Sequence, residues 1–318
     1  MRFRQKGSFV AAGFAILLLG LGFMFSQEKV AAREGFVQVP GGKVWYRISG
    51  EGTSGTPLIA LHGGPGADHS CLAVLEQLSD ERPVVLYDQL GGGKSDRPKD
   101  KSLWTVERFV KELAAVRAGL QLNQAHILGH SWGTMLAAEY MLTARPSGVR
   151  SLILSGPCFS SQKWIADQRA YLKQFPEAAQ KIVNDAEAAG KYDSPAYQKA
   201  VDEFYRRHFC RIDPWPVCLK NPVNMDVYGY MWGPSEFTAI GTLKDFDCTA
   251  RVHEIKAPVL FTCGRYDEAS PQTTAYYQSL IPGSKMVVID DASHMHMTER
   301  PAEYVRVVRE FLREVERK

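Results

Sequence analysis

Ala125-His126-Ile127-Leu128-Gly129-His130-Ser131-Trp132-Gly133, continuing into the helix-forming run from Thr134 to Ala144, decides how this chain folds. A short apolar run of strand type enters a G-x-S-x-G turn and leaves it as a helix, the setting in which that motif presents a serine nucleophile. The turn is sharp enough that side chains two positions before and two after the serine would meet backbone, so both positions are glycine. Ser131 is therefore the candidate nucleophile. The helix that follows aims its first N–H groups at the same point.

Working outward, Leu58 to Leu61 is a second strand-like run, and it empties into His62-Gly63-Gly64-Pro65-Gly66. Acyl transfer builds negative charge on a carbonyl oxygen, and a glycine-rich loop near the elbow can offer backbone donors to it. The expected oxyanion donors are the N–H groups of Gly64 and Trp132, with His62 bracing the loop. Further strands are expected at Val37 to Val39, Lys43 to Ile48, Val84 to Tyr87, Leu152 to Leu154, Val259 to Thr262 and Met286 to Ile289. Helices are expected from about Thr105 to Leu120, from Trp132 to Ala144, after Pro271, and from Pro301 to the C-terminus. Short β-branched runs alternating with helices predict an α/β fold, a mostly parallel sheet with helices on both faces. Between about Pro157 and Phe246 the alternation stops. Helical patterns near Lys163 to Phe175, Glu177 to Ala189 and Pro195 to His208 predict an inserted helical cap. The expected organisation is an N-terminal segment over 1–32, a core in two parts over 33–157 and 246–318, and the cap over 158–245.

An acid and then a histidine should follow later strands of such a sheet. Asp267 leaves the strand ending at Thr262 through Gly264-Arg265-Tyr266, and is the expected acid. The loop after Ile289 carries His294 and His296, of which His294, nearer the strand end, is the expected base; His296 is expected to flank the pocket or face solvent. A metal held by the two histidines lacks a third ligand at useful spacing, and no cofactor is expected.

Three strings together, His62-Gly63-Gly64-Pro65-Gly66, Asp88-Gln89-Leu90-Gly91-Gly92-Gly93-Lys94-Ser95 and Gly129-His130-Ser131-Trp132-Gly133-Thr134, resemble the proline iminopeptidase (prolyl aminopeptidase) family of α/β-hydrolases, including its L-amino acid amidase-type members. The second string departs from relatives that often carry Cys or Ser at its middle glycine. The resemblance runs from about Phe36 to the C-terminus and implies release of N-terminal residues, proline preferred, from short peptides, or hydrolysis of amino acid amides. It also implies that carboxylates from cap and core bind the substrate's amino terminus, and the matching positions are Glu236 and Glu268. A carboxylate pair near the scissile carbonyl selects a chain terminus because only a terminus carries the cationic amine. Trp215, Tyr228, Tyr230, Trp232 and Phe237 could line a proline-sized pocket or simply fill the cap. The alternatives are a carboxylesterase and a non-catalytic ligand-binding relative, which would have no need for Ser131, Asp267 and His294 together.

The 318 residues are 45% hydrophobic and 23% charged, which excludes disorder and coiled coil. The 38 basic residues exceed the 35 acidic by three, and Arg2, Arg4 and Lys6 account for the excess, so no basic surface for nucleic acid is expected. Those three cations precede seventeen uncharged residues, Phe9 to Phe25, a pattern that predicts a signal peptide or membrane anchor and hence an exported, periplasmic or extracellular protein. In that setting Cys210 and Cys218 could close a short disulfide loop, whereas Cys71, Cys158, Cys248 and Cys263 are expected as inert thiols.

Overall fold

The computed structural model describes residues 32–317. Eight strands, β1 (Arg33–Val39), β2 (Gly42–Ser49), β3 (Leu58–Leu61), β4 (Val84–Tyr87), β5 (Ala125–His130), β6 (Val149–Ser155), β7 (Val259–Gly264) and β8 (Lys285–Ile289), form one sheet in the order β1-β2-β4-β3-β5-β6-β7-β8. β1 and β2 pair antiparallel, as do β2 and β4; every other pairing is parallel. Strands β3, β4, β5 and β7 are buried at each position, as a sheet covered on both faces requires.

Period-two alternation sorts those strands between two apolar layers. Ile59, Val85 and Ile127 pack with Phe109, Leu113 and Leu136 from α1 (Val106–Gly119) and α2 (Trp132–Glu139). Leu58, Leu86 and Leu128 point the other way, against Leu75 of a 3-10 helix (Ser70–Leu78) and residues of the C-terminal helix such as Val308 and Leu312. Four helices fill the β6–β7 connection, α3 (Ser161–Leu172), α4 (Glu177–Ala189), α5 (Pro195–His208) and α6 (Met225–Met231). There Leu172, Val183, Val201, Phe204 and Phe237 form an apolar cluster of their own. After β7 come α7 (Pro271–Ser279), α8 (His296–Glu299) and α9 (Pro301–Glu316). Thr105, Ser160, Ser194 and Ser270 each accept a hydrogen bond from the first turn of the helix they precede, which fixes where α1, α3, α5 and α7 begin.

Several expectations need correction. The helix opened by Trp132 was expected to reach Ala144, but α2 ends at Glu139, the turn Tyr140–Ala144 is wider, and Arg145 is left-handed at φ +45°. Pro146 disfavours helical backbone at the residue before it. Cys210 does not pair with Cys218. Its side chain is buried in the layer that holds Leu58 and Leu128, while Cys218 bonds to Cys71 at a Cα separation of 5.1 Å, joining the β6–β7 connection to the Ser70–Leu78 helix. The expected exported, membrane-anchored protein is also corrected: among the described residues no helix is long and apolar enough to cross a membrane. The segment that suggested export, within 1–32, lies outside the described residues apart from Ala32.

A buried ion pair fastens α9 to the sheet. Arg82, 1% exposed, donates from Nη1 to Glu316 Oε1 at 2.6 Å and from Nη2 to Oε2 at 3.1 Å, and the Thr56 amide donates to Oε1 at 3.0 Å. Burial alone would raise the Glu316 carboxyl, but Arg82 and the Thr56 amide hold it down at about 2. A carboxylate lowered on folding contributes stability that is present above the unfolded range and lost as pH falls through the folded value. Glu316→Gln should therefore cost about 2 kcal/mol at pH 7, because it leaves buried Arg82 with only the more distant Glu81, 3.7 Å away, as a counter-charge. In urea melts taken at a series of pH values, the gap between variant and native protein should close as pH falls toward about 2.

Candidate active site

At the end of β5, Ser131 adopts φ +56° and ψ −123°, a conformation rare for a residue with a side chain. The flanking glycines show why the turn accepts nothing larger. A Cβ on Gly129 would lie 2.2 Å from the Gly133 carbonyl oxygen, and one on Gly133 would lie 2.3 Å from the Leu61 carbonyl oxygen. The Ser131 amide donates to Ser155 O of β6 at 2.9 Å, and Thr134 Oγ1 donates to Ser131 O at 2.7 Å. The elbow is thus held from the sheet and from α2 together, with the positive end of α2 at the serine.

The His62–Gly66 loop lies against this turn, so that a Cβ on Gly63 would sit 3.1 Å from Ser131 Cβ. His62 does brace it. The Gln89 amide donates to His62 Nε2 at 2.9 Å, which assigns the ring proton to Nδ1, 2.8 Å from Gly63 O. Burial lowers the His62 pKa, consistent with that neutral ring. Gln89 also donates from Nε2 to His62 O at 3.0 Å and accepts at Oε1 from Trp132 Nε1 at 2.8 Å. One amide from the second glycine-rich string therefore ties the loop holding Gly64 to the residue after Ser131. Asp88 beside it accepts from the amides of His69 and Lys94, both at 2.8 Å, and closes the string's turn.

Asp267 and His294 meet beneath the surface, with His294 Nδ1 2.7 Å from Asp267 Oδ1. The Asp267 carboxylate also accepts from the amides of Gly264 at 3.1 Å and Ala269 at 2.8 Å. Burial would raise this carboxyl, but His294, and behind it His296, hold it well below the usual carboxylate range. A histidine so oriented presents its other nitrogen, Nε2, away from the acid, and Ser131 and His294 line one cavity. His296 neither flanks that cavity nor faces solvent. It is buried behind Asp267, with Nε2 3.0 Å from Thr262 Oγ1 and Nδ1 3.6 Å from Asp267 Oδ2. The end of α5 holds His294 from the other side. The amides of His294 and Glu268 donate to His208 O at 3.0 and 3.2 Å, and Gly156 leaves room for the His294 ring, since a Cβ there would lie 2.6 Å from its Cε1.

The two glutamates are set apart from ordinary surface acids. Glu236 accepts at Oε1 from the Tyr228 hydroxyl at 2.5 Å, and its backbone oxygen accepts from Trp164 Nε1 at 3.1 Å. Glu268 is fully buried; its backbone oxygen accepts from Gln168 Nε2 at 2.9 Å, but neither carboxyl oxygen has a hydrogen-bond partner among the described residues. Oε1 lies 3.7 Å from His294 Nε2. Burial, then the charges of Glu236 and Asp267, push the Glu268 pKa well up. Burial also raises Glu236, against the opposing pull of Tyr228 and His294.

Two spaces open at Ser131. A narrow recess of about 10 Å³, between Met135, Cys158, Trp164, Trp232 and Leu243, has Gly64, Trp132 and Glu236 at its mouth. A cavity of about 360 Å³ runs outward past His294, Phe209 and Trp215 to the Cys71–Cys218 bond. The aromatic residues singled out in the sequence divide accordingly. Trp232 walls the recess, Trp215 and Tyr228 line the cavity, Phe237 fills the cluster of α3 to α5, and Tyr230 lies at the surface under Lys101. Sequence reading missed Trp164, Gln89 and His208, none of which belongs to a motif with a chemical role of its own. Among the described residues no cluster of His, Cys, Asp or Glu could hold a metal ion.

The family profile for the alpha/beta hydrolase fold matches residues 56–301. The proline iminopeptidase of Heyndrickxia coagulans is 49% identical over 286 residues, 89% of this chain and 99% of that one. That of Lactobacillus crispatus is 38% identical over 88% of this chain and 97% of its own length. Among solved structures, the Mycobacterium smegmatis proline iminopeptidase superposes with a TM-score of 0.81 at 35% identity, covering 89% of this chain and 98% of that one. VinJ superposes at 0.84 with 32% identity, covering 89% and 99%. The chain belongs to the proline iminopeptidase family of α/β-hydrolases.

Proposed function

We propose that this serine aminopeptidase removes an N-terminal residue, proline preferred, from short peptides or hydrolyses the corresponding amides through an acyl-enzyme. The single observation that carries the amino-terminal specificity is Glu268, a buried carboxyl with both oxygens unpartnered beside the base. Burying such a group costs several kcal/mol unless something pairs with it, and a substrate ammonium is the partner that fits. Ser131 attacks the scissile carbonyl while His294 takes its proton, Asp267 holds the imidazole and stabilises its charged form, and His294 then protonates the leaving amine. The N–H groups of Gly64 and Trp132 receive the developing oxyanion. Water releases the acyl group by the same steps in reverse. Glu236 and Glu268 hold the substrate amine, the recess between Met135 and Trp164, which at about 10 Å³ has room for one water, widens to take a small side chain, and residues 158–245 act as the cap that closes over the core.

Amides of proline, alanine and leucine should be hydrolysed with proline best, and N-acetylation should lower kcat/KM by about 100-fold or more, since it removes the charge that the glutamates meet. Ser131→Ala should lower kcat by roughly ten-thousandfold. Full activity of that variant, or on acetylated substrates, overturns the assignment.

Glu268→Gln provides a separate check. A carboxyl whose pKa is raised on folding makes the folded chain hold a proton that the unfolded chain releases, so stability declines as pH rises through that window. The glutamine variant does not titrate. Its Tm relative to the native protein should therefore rise between pH 5 and pH 8 while its kcat/KM on proline amide falls by about 100-fold. A Tm difference that does not change with pH contradicts the buried, unpartnered carboxyl.

A further inference from the structure

The larger cavity at Ser131 is more than an entrance. With the substrate amine at the glutamates and its side chain toward the narrow recess, as the proposed function requires, the leaving group extends into the cavity of about 360 Å³ that Ser131 and His294 also line. Part of its wall is apolar, formed by Phe209, Trp215, Leu219, Val223 and Met225. Among the described residues no lysine or arginine lines it, whereas Asp68 and Asp202 do. Asp68 is held in place, accepting at Oδ2 from Asn221 Nδ2 at 2.8 Å and at Oδ1 from the Ser70 amide at 2.8 Å. A free dipeptide brings an α-carboxylate into this space within one residue of the scissile bond. A carboxylate held there gains from a cationic or multiple N–H partner, and this wall offers two carboxylates instead, half-buried Asp68 and exposed Asp202, whose like charge opposes it.

From this we infer that the leaving-group side selects an uncharged, apolar amine: a large hydrophobic residue whose carboxyl end is blocked or continues into further chain, in preference to the free second residue of a dipeptide. Rejection arises from like charge and an unpaired carboxylate, and attraction from the aromatic and aliphatic walls. The inference rests on the aminopeptidase reading, and concerns only what lies beyond the bond that is cut.

The test compares kcat/KM for Pro-NH2, Pro-Gly-NH2, Pro-Phe-NH2 and the free acid Pro-Phe on the full-length protein. Pro-Phe-NH2 should exceed Pro-Phe by about tenfold or more, with the gap narrowing as NaCl is raised, and should exceed Pro-Gly-NH2 by a similar factor. Val223 is 40% exposed, so Val223→Lys can place a cation on the cavity wall without disturbing the core. It should raise turnover of Pro-Phe and shrink the amide-to-acid ratio at least about threefold. Equal rates for Pro-Phe and Pro-Phe-NH2, or a ratio that Val223→Lys does not move, overturn the inference while Pro-NH2 hydrolysis still upholds the aminopeptidase. Failure to cleave Pro-NH2 as well overturns both.

Discussion

The contact on which the site depends is the collision avoided at the Ser131 turn. β5 lies between β3 and β6, and the chain must reverse into α2 without leaving the sheet, so Gly129 sits against the Gly133 carbonyl and Gly133 against the Leu61 carbonyl. Because Gly133 touches the end of β3, the loop that leaves β3 at His62 is forced beside Ser131. Because the Ser131 amide is bonded to the end of β6, Gly156, which follows that strand, is brought under the His294 ring. One tight turn thus collects the ends of three parallel strands. Ligand sites of open α/β sheets lie at the carboxyl ends of their strands, and here steric exclusion between backbones produces that arrangement.

What could be read from the sequence followed from how local each cause is. The elbow, the strands that feed it and the helices opened by Thr105, Ser194 and Ser270 depend on residues within a few positions of one another, and these appear within a residue or two of their expected places. Asp267 and His294 could be singled out because strand ends limit where chemistry can sit. Their 2.7 Å contact depends on the register of β7 and β8, which no short pattern encodes. The Cys71–Cys218 bond closes a separation of 147 residues and leaves no local trace, so proximity in sequence favoured the wrong partner for Cys218. His208 acts through its backbone carbonyl, for which residue type carries no information. Glu268 was singled out through the family resemblance and its place beside Asp267; its complete burial is a consequence of how α3 and α5 pack over the strand end.

Of the three acids around His294, Asp267 and Glu268 are fully buried and Glu236 half-buried, and they differ in what their carboxyls meet. Asp267 receives a histidine and two amides, and ionises readily. Glu268 receives none at its carboxyl and resists ionisation, and Glu236, with one tyrosine hydroxyl, lies between. The same burial lowers the pKa of His62 and His130, so these rings add little positive charge to offset the carboxyls. The site is consequently short of cations at the point where an amine-bearing substrate supplies one. In the proposed reading, binding an ammonium there relieves a cost that the empty fold carries, which would couple occupancy to ionisation of both glutamates. Protein stability and substrate selection therefore pull in opposite directions at Glu268. A neutral side chain would suit the fold better, but only the acid leaves a charge vacancy that a chain terminus can fill and an internal peptide bond cannot.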